Sequence, residues 1–551
     1  MKRFIVPLIV AVLLQSCSCR SHDQDGHNVL PDAEVVSCVI NDLAVEHGGM
    51  IAGVDPDYLL IILKFSHKVD PEQLYPLHIY MDNGVDADFQ VHYGQDHKTL
   101  VIRVSPKLEY YTLYTLFIEK GPTLGVNLTS TYEYQILTSI DPSPKFPKIS
   151  DEDLLTLVQM RTFRYFWDYA HPVSGLARER LGSGDVVTSG GSGFGIMALP
   201  VAVTRGFISR SEAASRLLKT VNFLNEKAER FHGAFPHWLD GSTGEALPFS
   251  PKDNGGDIVE TALLMQGLLV ARQFFNTSDP IEVAACEVIE KIWESVEWDW
   301  YTRGENVLYW HWSPDYGWEM NMQVNGWNEA LIAYVLAASS PTHSISKEVY
   351  DGGWARFGKM ANDKKFYDIL LPLGPDYGGP LFFAHYSFLG LDPRQLSDEY
   401  ADYWEQNSNH TRINHRYCVR NPKGWYGYGE DVWGLTASDI PDGYAASSPT
   451  DDHGVIAPTA ALSSMPYTPE ESMRALRYYY YILGDRAFGE YGFCDAFSLQ
   501  EQWFDPSYLA IDQGPIIIMM ENYRSGLIWD LFMREVCILD GLDKLGFDYV
   551  K

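Results

Sequence analysis

The sequence predicts a small all-β immunoglobulin-like sandwich followed by an all-α (α/α)6 barrel. Three observations support this fold class. Short β-branched and aromatic segments separated by turn residues fill the chain before residue 140, a proline-rich stretch covers 141–150, and apolar and amphipathic helical patterns alternate over 151–551. The length of 551 residues fits one large domain plus one small domain.

Residues 1–16 have the pattern of a secretory signal peptide. Lys2 and Arg3 precede an apolar run, residues 4–14, that is too short to cross a bilayer as a stable helix. The next residues, "LQSC", resemble a bacterial lipobox in which Cys17 is lipidated and becomes the mature N-terminus. The alternative is an ordinary signal peptide with an incidental cysteine. We expect a lipid-anchored protein of the cell envelope, periplasmic or on the outer-membrane surface, whose anchor is its only membrane contact.

A flexible leader at 17–33 and a sandwich domain at 34–140 are predicted next. Segments such as "YLLIILKFSHKV" and "YTLYTLFIEKG" alternate or cluster apolar residues over strand-like lengths, with turn residues every 10–15 positions or so. The stretch "DPSPKFPKIS" at 141–150 contains three prolines and is predicted to be a linker.

Repeated loop–helix units predict the barrel. Amphipathic helices alternate with more apolar ones, and a Gly-rich polar loop precedes each apolar helix. These loops are Thr188–Gly195, Asp253–Glu260, Val324–Ala330, Asp376–His385, Pro449–Pro458 and Ala510–Met519. In a ring of six hairpins the loops meet around one cavity, whereas six unrelated helix starts would leave them apart.

Composition excludes several classes of function. A formal net charge of −31 disfavours a nucleic-acid partner. The cysteines are scattered without a CxxC pair, and no phosphate-binding loop or dinucleotide motif is present, so we predict no metal and no cofactor. We also expect a monomer.

Three acids in "DNGGDIVETALLMQGLL" have two interpretations. Asp257 and Glu260 form a D-x-x-E pattern that is typical of a capping box, and Asp253 has the position of a surface turn residue. Alternatively, all three acids face a cavity at the mouth of the helix and take part in chemistry.

Two further acids stand at the starts of apolar helices. Glu329 follows Trp327 and Asn328 in "NGWNEALIAYVL", and burial there would raise its pKa enough for a general acid. Asp512 in "AIDQGPIIIMM" either caps its helix or orients and deprotonates a water at the cavity mouth. A first-turn acid favoured by the helix dipole is the alternative for Glu329.

Aromatic and polar residues near these loops suggest a carbohydrate cleft, although core packing would explain many of them. Asp451, Asp452 and His453 are adjacent and cannot all reach one ion from a regular element, so hydrogen bonding to substrate is preferred over a metal site. The predicted substrate-binding residues are Trp327, Asn328, Asp451, Asp452, His453, Trp238, Tyr377, Trp425 and Trp433. Acids facing an aromatic cleft favour glycoside hydrolysis by a protonated and an ionised carboxyl.

Several long motifs resemble one bacterial family. "SGGSGFGIMAL", "DIVETALLMQGLL", "NGWNEALIAYVLA", "WYGYGEDVWGLTASD", "DDHGVIAPTAAL" and "FDPSYLAIDQGPIIIMMENYRSGLIW" are similar to the family once labelled "putative glucoamylase" and now known as glycoside hydrolase family 144. Members of that family act on β-1,2-glucans and have an (α/α)6 barrel. The resemblance covers roughly residues 151–551, and the lipoprotein form looks like that of a Bacteroidetes glycan-utilisation protein.

The resemblance implies roles for five acids. Glu329 would be the general acid and Asp512 the base of an inverting reaction, with their carboxyls roughly 6.5–9.5 Å apart unless a relay lengthens the path. Asp253, Asp257 and Glu260 would bind sugar hydroxyls or help to relay a proton.

The expected function is therefore hydrolysis of β-1,2-glucan or its oligosaccharides to sophorose or short oligosaccharides. A glucoamylase-like enzyme acting on α-glucan and a non-catalytic glycan-binding lipoprotein are the alternatives. The sequence leaves endo and exo action open, because loops such as 421–444 would decide whether one end of the cleft is blocked.

Overall fold

The computed structural model describes residues 29–74, 78–82, 88–105 and 108–549. The predicted signal peptide, the lipidation site Cys17 and most of the predicted leader lie outside the described residues. The chain divides into two compact units, one ending at Ser139 and the other beginning at Ile140. The predicted order of a β-rich region before a helical domain is confirmed.

The N-terminal unit consists of strands around one apolar core. Its strands are β1 (Asp32–Ala33), β2 (Val35–Ile40), β3 (Leu43–Val45), β4 (Met50–Val54), β5 (Leu59–Phe65), β6 (Ile79–Met81), β7 (Asp88–Tyr93), β8 (Thr99–Ser105), β9 (Leu113–Ile118), β10 (Gly121–Thr123), β11 (Val126–Leu128) and β12 (Tyr132–Thr138). They form sheets in the orders β3-β2-β5-β8-β7, β4-β12-β9-β6 and β1-β11-β10.

Alternation along the strands explains why these sheets share a core. In β5, Leu59, Ile61 and Leu63 are buried and the residues between them are more exposed. In β9, Leu116 and Ile118 point into the same apolar cluster. A period of two puts one face of each sheet inward.

The second unit is mainly helical. Its helices are α1 (Asp151–Trp167), α2 (Ser189–Thr204), α3 (Arg210–Glu226), α4 (Ile258–Phe274), α5 (Pro280–Glu294), α6 (Leu331–Ser339), α7 (Lys347–Val349), α8 (Tyr403–Arg420), α9 (Pro458–Leu462), α10 (Pro469–Tyr481), α11 (Gly484–Ala487), α12 (Ala510–Arg524), α13 (Leu527–Phe532) and α14 (Val536–Leu545). Within the described residues, no helix is long and apolar enough to cross a membrane.

Short 3-10 helices, a π-helical turn and short strands connect these helices. In the helical unit the 3-10 helices are Trp300–Thr302, Arg356–Gly358, Asp376–Gly378 and Leu381–Ala384, and the π-helical turn is Tyr350–Trp354. The N-terminal unit contains the 3-10 helix Pro71–Gln73. The paired strands are Val186–Thr188, Trp238–Asp240 and Ala246–Leu247; Gly256–Asp257 and His311–Trp312; Leu308–Tyr309 and Gln323–Val324; Ala361–Phe366 and Ile369–Leu373; Ala437–Ile440 and Gly443–Ala446; Phe488–Gly489 and Gly492–Phe493; Phe497–Ser498 and Trp503–Phe504.

Fully buried helices alternate along the chain with half-exposed ones in a barrel-like arrangement. Every residue of α6 and α9 is buried, whereas α1, α3, α5 and α10 each bury one face. Helix α2 packs against α4 on one side and α12 on the other, and α4 also packs against α6. The starts of these buried helices therefore lie near one another.

The glycines of "SGGSGFG" lie in the first turns of α2 instead of in a loop. A Cβ on Gly193 would come within 2.3 Å of the Leu263 carbonyl oxygen in α4. A Cβ on Gly267 would meet the Gly193 oxygen at 2.1 Å. Only glycine permits this close approach of two helix backbones, so the motif serves helix packing as well as the site.

The proline-rich segment 141–150 contains no helix or strand but packs on α10. The Phe146 ring lies 4.7 Å from the ring of Tyr480, and the Lys145 amide donates to the Tyr481 carbonyl at 2.7 Å. The segment therefore forms part of the helical unit.

Candidate active site

A cavity of about 460 Å³ lies at the starts of the buried helices, and we call it the main cavity. Its wall combines aliphatic and aromatic side chains with three carboxylates and one guanidinium. It is lined by Glu179, Arg180, Thr188, His237, Trp238, Phe249, Val259, Glu260, Leu263, Trp310, Glu329, Phe382, Tyr386, Ala437, Tyr444, Leu509 and Ile511. A mostly apolar pocket with few polar groups is typical of a site for an organic ligand.

Asp257 caps helix α4, as the D-x-x-E pattern predicts. Its Oδ1 accepts hydrogen bonds from the amides of Val259 and Glu260, both at 2.9 Å. Glu260 does not reach back to complete the capping box. Its Oε2 instead accepts from the Gly190 amide of α2 at 2.8 Å. The pattern therefore identifies the cap correctly, while the carboxylate of Glu260 is free to line the cavity.

Two histidines neutralise this group of acids. His237 Nδ1 lies 3.3 Å from Asp257 Oδ2, and His311 Nε2 lies 3.2 Å from Asp253 Oδ2 and 3.5 Å from Asp257 Oδ2. Burial alone would lower the pKa of both imidazoles, but the adjacent carboxylates raise it to about 9 for His237 and about 10 for His311. Both rings are therefore cationic at neutral pH.

The same contacts explain the ionisation of the acids. Burial would raise the pKa of Asp257, but its contacts with the two histidines hold it well below the usual range. For Glu260, burial raises the pKa, helped by the nearby charge of Asp257 and opposed by His237. Asp257 is thus a fixed negative charge.

Glu329 lies two residues before helix α6, next to the N-cap Ala330, and faces the main cavity. The pKa of Glu329 is raised to about 7, mainly because the surrounding protein excludes water from its carboxyl. The negative charges of Glu260 and Asp257 contribute to this shift, and a hydrogen bond from its own backbone amide opposes it. Half or more of the Glu329 carboxyls therefore hold a proton at or below neutral pH. A protonated carboxyl on a cavity wall can donate a proton to a bound ligand.

Asp512 lies in the first turn of α12, and it is not the N-cap, which is Leu509. Its carboxyl is 2% exposed and interacts electrostatically with Tyr386, a residue of the cavity wall. Burial and the hydrogen-bonded neighbour Asp495 raise its pKa well above the usual value. Burial also raises the pKa of Asp495, to about 7, so this hydrogen-bonded pair holds at least one proton at neutral pH.

Arg180 connects the acids of the main cavity to a second group. Its guanidinium donates to both oxygens of Asp439, at 2.9 and 3.1 Å, and pairs with Glu179 at 3.0 Å. Asp439 lies against Asp505, and its amide donates to Asp495 at 2.8 Å.

Two groups of three side chains are compact enough to hold a metal ion, since the possible ligand atoms within each group lie within 4.8 Å of one another. The first group is His237, Asp253 and Asp257, and the second is Asp439, Asp495 and Asp505. In the first group the imidazolium ions of His237 and His311 balance the carboxylates, and in the second group Arg180 pairs with Asp439. Because Asp253, Asp257 and Asp439 already pair with protein cations, we assign neither group to a metal.

The structure brings the five predicted acids and Trp238 to one region but places other predicted residues elsewhere. Trp327 is packed between Trp354, Phe388 and Tyr403, and Trp433 is fully buried beside His415. Because both rings are enclosed, they stabilise the apolar core instead of lining the cavity.

The remaining predicted binding residues also have structural contacts away from the described cavity wall. Asn328 Oδ1 accepts from the Ala330 amide at 2.9 Å, and Tyr377 packs against Phe366. Asp452 accepts from Tyr417, Trp425, Tyr428 and the Gly454 amide. Asp451 and His453 form a surface ion pair at 3.2 Å. These contacts leave the Asp452 carboxylate no capacity for a ligand.

Sequence reasoning did not assign the histidines or Asp495. His237 and His311 are flanked by aromatic residues, in "PHW" and "WHW", and a histidine at such a position near an acid-bearing loop is a usable signal. Asp495 in "FCDAF" offers no local signal, because only the fold brings it to Asp512.

Comparison with known proteins places these residues in a family. A profile of the family described as "Glycoamylase: Putative glucoamylase" matches residues 321–536. The exo β-1,2-glucooligosaccharide sophorohydrolase (non-reducing end) of Parabacteroides distasonis is 47% identical over 420 residues, which are 72% of this chain. The chain spans 58% of the length of that relative.

Two crystal structures are similar over more of their length. The endo-β-1,2-glucanase of Chitinophaga pinensis, in complex with sophorotriose and glucose, is 54% identical with a TM-score of 0.72, over 73% of this chain and 99% of that one. A β-1,2-glucanase from P. distasonis is 38% identical with a TM-score of 0.70, over 94% of this chain and 74% of that one. The chain therefore belongs to the family described as "Putative glucoamylase".

Proposed function

We propose that the protein hydrolyses β-1,2-glucan or its oligosaccharides by an inverting reaction in the main cavity. The observation that carries the proposal is Glu329, a carboxyl with a pKa of about 7 on the cavity wall. The similarity to an endo-β-1,2-glucanase in complex with sophorotriose and to a sophorohydrolase supports the substrate class.

Glu329 acts as the general acid. Departure of a sugar hydroxyl requires a proton on the glycosidic oxygen, and a carboxylic acid with a pKa near the working pH supplies it most effectively. The surrounding protein and the nearby carboxylates keep that proton on Glu329.

Asp512 acts as the base. In the form of the Asp512–Asp495 pair that holds a single proton, the remaining negative charge can accept a proton from the water that attacks the anomeric carbon. Attack from the face opposite the leaving oxygen inverts the configuration of that carbon. The β-linked substrate is then expected to yield an α-configured product.

The group of Asp253, Asp257 and Glu260 holds the substrate and sets the field around Glu329. Asp253 Oδ1 is buried and accepts no hydrogen bond from the described residues, so it can accept one from a sugar hydroxyl or a water. The carboxylate of Asp257 already caps helix α4 and contacts the histidines, so Asp257 acts as a positioning residue. Aromatic rings of Trp238 and Trp310 provide apolar surface for the flat faces of the sugar.

The protonation of Glu329 sets the expected pH dependence of kcat/KM. Raising the pH removes the proton from Glu329, so kcat/KM on β-1,2-glucan is expected to fall above about pH 7, by roughly tenfold per pH unit. Initial rates measured across the neutral and alkaline range at constant ionic strength test this. A kcat/KM that continues to rise well above pH 7 would contradict the assignment of Glu329 as the acid.

Replacing Gly190 with alanine is expected to impair catalysis with little loss of stability. A Cβ there would lie 2.6 Å from Glu260 Oε2, so the carboxylate must move while the helix remains intact. Misplacement of this size lowers kcat/KM by about 10–100-fold. Gly429→Ala is the matched control, because its Cβ would meet nothing closer than 3.9 Å. Equal rates for the two variants would show that Glu260 does not need its present position.

Assays on linear β-1,2-glucan and on starch test the substrate. The proposal predicts release of sophorose or short oligosaccharides from the β-1,2-glucan and none from starch. Activity on starch alone would favour the glucoamylase-like alternative that the family description suggests. Binding of β-1,2-glucan without any cleavage would favour a glycan-binding protein.

We also propose the finer assignments of fold and location. The helical unit forms an (α/α)6 barrel over 151–551 of glycoside hydrolase family 144, after an immunoglobulin-like sandwich over 34–140. The alternation of buried and half-exposed helices supports the barrel, and the shared core of two sheets supports the sandwich. The protein is a monomer tethered to the cell envelope by a lipid on Cys17. Mass spectrometry of the mature N-terminus tests the anchor, and an unmodified Cys17 would contradict it.

A further inference from the structure

A second cavity of about 500 Å³ adjoins the main cavity. Arg180 and Tyr444 line both cavities. The hairpin of Ala437–Ile440 and Gly443–Ala446 borders both, since Ala437 faces the main cavity and Ile440 and Gly443 face the second one. The two spaces therefore lie on either side of one short wall.

The second cavity contains an aromatic ring with no aromatic partner among the described residues. Trp503 lines it and is partly exposed. The neighbouring Phe504 stacks on Phe497 at 5.6 Å, whereas Trp503 belongs to none of the ring pairs found among the described residues. A tryptophan face open to a cavity is a suitable platform for the apolar face of a sugar.

A buried carboxyl in the same wall, Asp505, is hydrogen-bonded to Asp439 but has one oxygen that accepts no hydrogen bond within the described part of the chain. Asp505 is 8% exposed, and its Oδ2 accepts no hydrogen bond from the described residues, while Oδ1 accepts from the Ser507 amide at 3.2 Å. Burying such an oxygen without a donor is costly, so a ligand hydroxyl that reaches it would be bound favourably. Asp439 and the Arg180 guanidinium add an acceptor and a donor to the same wall.

We propose that the second cavity is a subsite for further glucose residues of the same glucan chain, which passes the wall formed by Arg180 and Tyr444. Trp503 stacks on a sugar ring and Asp505 accepts from a sugar hydroxyl. This inference rests on the proposed glucan hydrolysis and adds that the protein favours longer chains and cleaves internal linkages.

Kinetics of Trp503→Ala on linear β-1,2-gluco-oligosaccharides of increasing length test the subsite. We expect kcat/KM to fall about tenfold for long chains, with little change for the shortest substrate that is cleaved, since loss of an aromatic anchor in a binding site typically has an effect of this size. Trp503→Phe should restore most of the loss because it keeps a ring. Phe357→Ala, which removes an exposed ring away from both cavities, should match the wild type at every length.

Binding gives a second readout that does not depend on turnover. Tryptophan fluorescence of the Glu329→Gln protein should change when long oligosaccharides bind, and the change should shrink in the double variant with Trp503→Ala. Asp505→Asn should weaken binding of long chains only, at an unchanged melting temperature.

The outcomes separate the two proposals. Chain-length profiles and binding that are identical for Trp503→Ala and the wild type, at equal melting temperatures, would overturn the subsite even if glucan is cleaved. If the wild type cleaves no β-1,2-glucan, the proposed hydrolysis fails. Binding that depends on chain length and on Trp503 would in that case still support the subsite.

Discussion

Replacing Glu329 with glutamine is expected to lower kcat on β-1,2-glucan by about 10²–10⁴-fold, the usual contribution of a general acid. Glutamine keeps the shape of the side chain and its hydrogen-bonding capacity but has no proton that it can transfer to the glycosidic oxygen. Because the substrate contacts remain, KM or the dissociation constant should change far less than kcat. Initial rates and isothermal titration with oligosaccharides measure both quantities.

The control for this variant is Glu287→Gln, an exposed position on α5 that lines neither the main nor the second cavity. It should retain the wild-type kcat and pH profile. A second signature is the alkaline limb near pH 7, which should disappear in Glu329→Gln because the group that titrates there is gone. Wild-type turnover by Glu329→Gln would rule out Glu329 as the acid.

Replacing Asp512 with asparagine is expected to lower kcat by a similar factor while leaving the protein as stable as the wild type or more stable. Asparagine cannot accept the proton of the attacking water, so the step that the base assists slows by about 10²–10⁴-fold. Asparagine can still donate a hydrogen bond to Asp495, and the replacement removes the repulsion between two buried acids. A loss of activity with equal or greater stability is typical of a functional residue that the fold does not need.

Thermal unfolding at neutral pH and steady-state kinetics measure the two quantities for Asp512→Asn. Asp540→Asn, an exposed position on α14, serves as the control and should change neither. Azide should partly restore turnover to Asp512→Asn, because a small anion can attack without a base. A variant that unfolds at lower temperature and loses activity in proportion would instead indicate that Asp512 has a structural role.

The sequence predicts the acids of the site better than the residues around them. Asp257, Glu260 and Glu329 occur at or near helix starts, and helix starts converge in a ring of buried helices, so the repeated pattern predicts that they lie close together. Glu260 and Glu329 line the main cavity, and Asp257 caps α4 behind it. The capping pattern and the catalytic interpretation of Asp257 and Glu260 are compatible, because one side chain caps α4 and the other points to α2.

The aromatic residues show why local composition is a weaker guide. Trp327 and Trp238 both lie next to polar and Gly-rich segments, yet Trp327 is 5% exposed in the core and Trp238 lines the cavity. Which way a ring points depends on packing with residues distant in sequence, such as Phe388 and Tyr403 around Trp327. The same dependence on distant contacts hides the pairing of Asp495 with Asp512.

The histidine pair changes the interpretation of the acids in "DNGGDIVETALLMQGLL". Asp253 and Asp257 lie close together, and their mutual repulsion is offset because His311 pairs with both and His237 pairs with Asp257. The negative charges of Glu260 and Asp257 then help to keep the proton on Glu329. The most reactive acid therefore owes part of its pKa to residues that do not transfer protons themselves.

A proton NMR time course of linear β-1,2-glucan digestion by the wild type tests the central claim most directly. If Glu329 protonates the leaving oxygen while Asp512 activates a water on the opposite face of the sugar, the new reducing ends appear first as the α anomer, and the β anomer follows by slow mutarotation. Initial appearance of the β anomer would show a retaining reaction with a covalent intermediate and would contradict the roles given to Glu329 and Asp512.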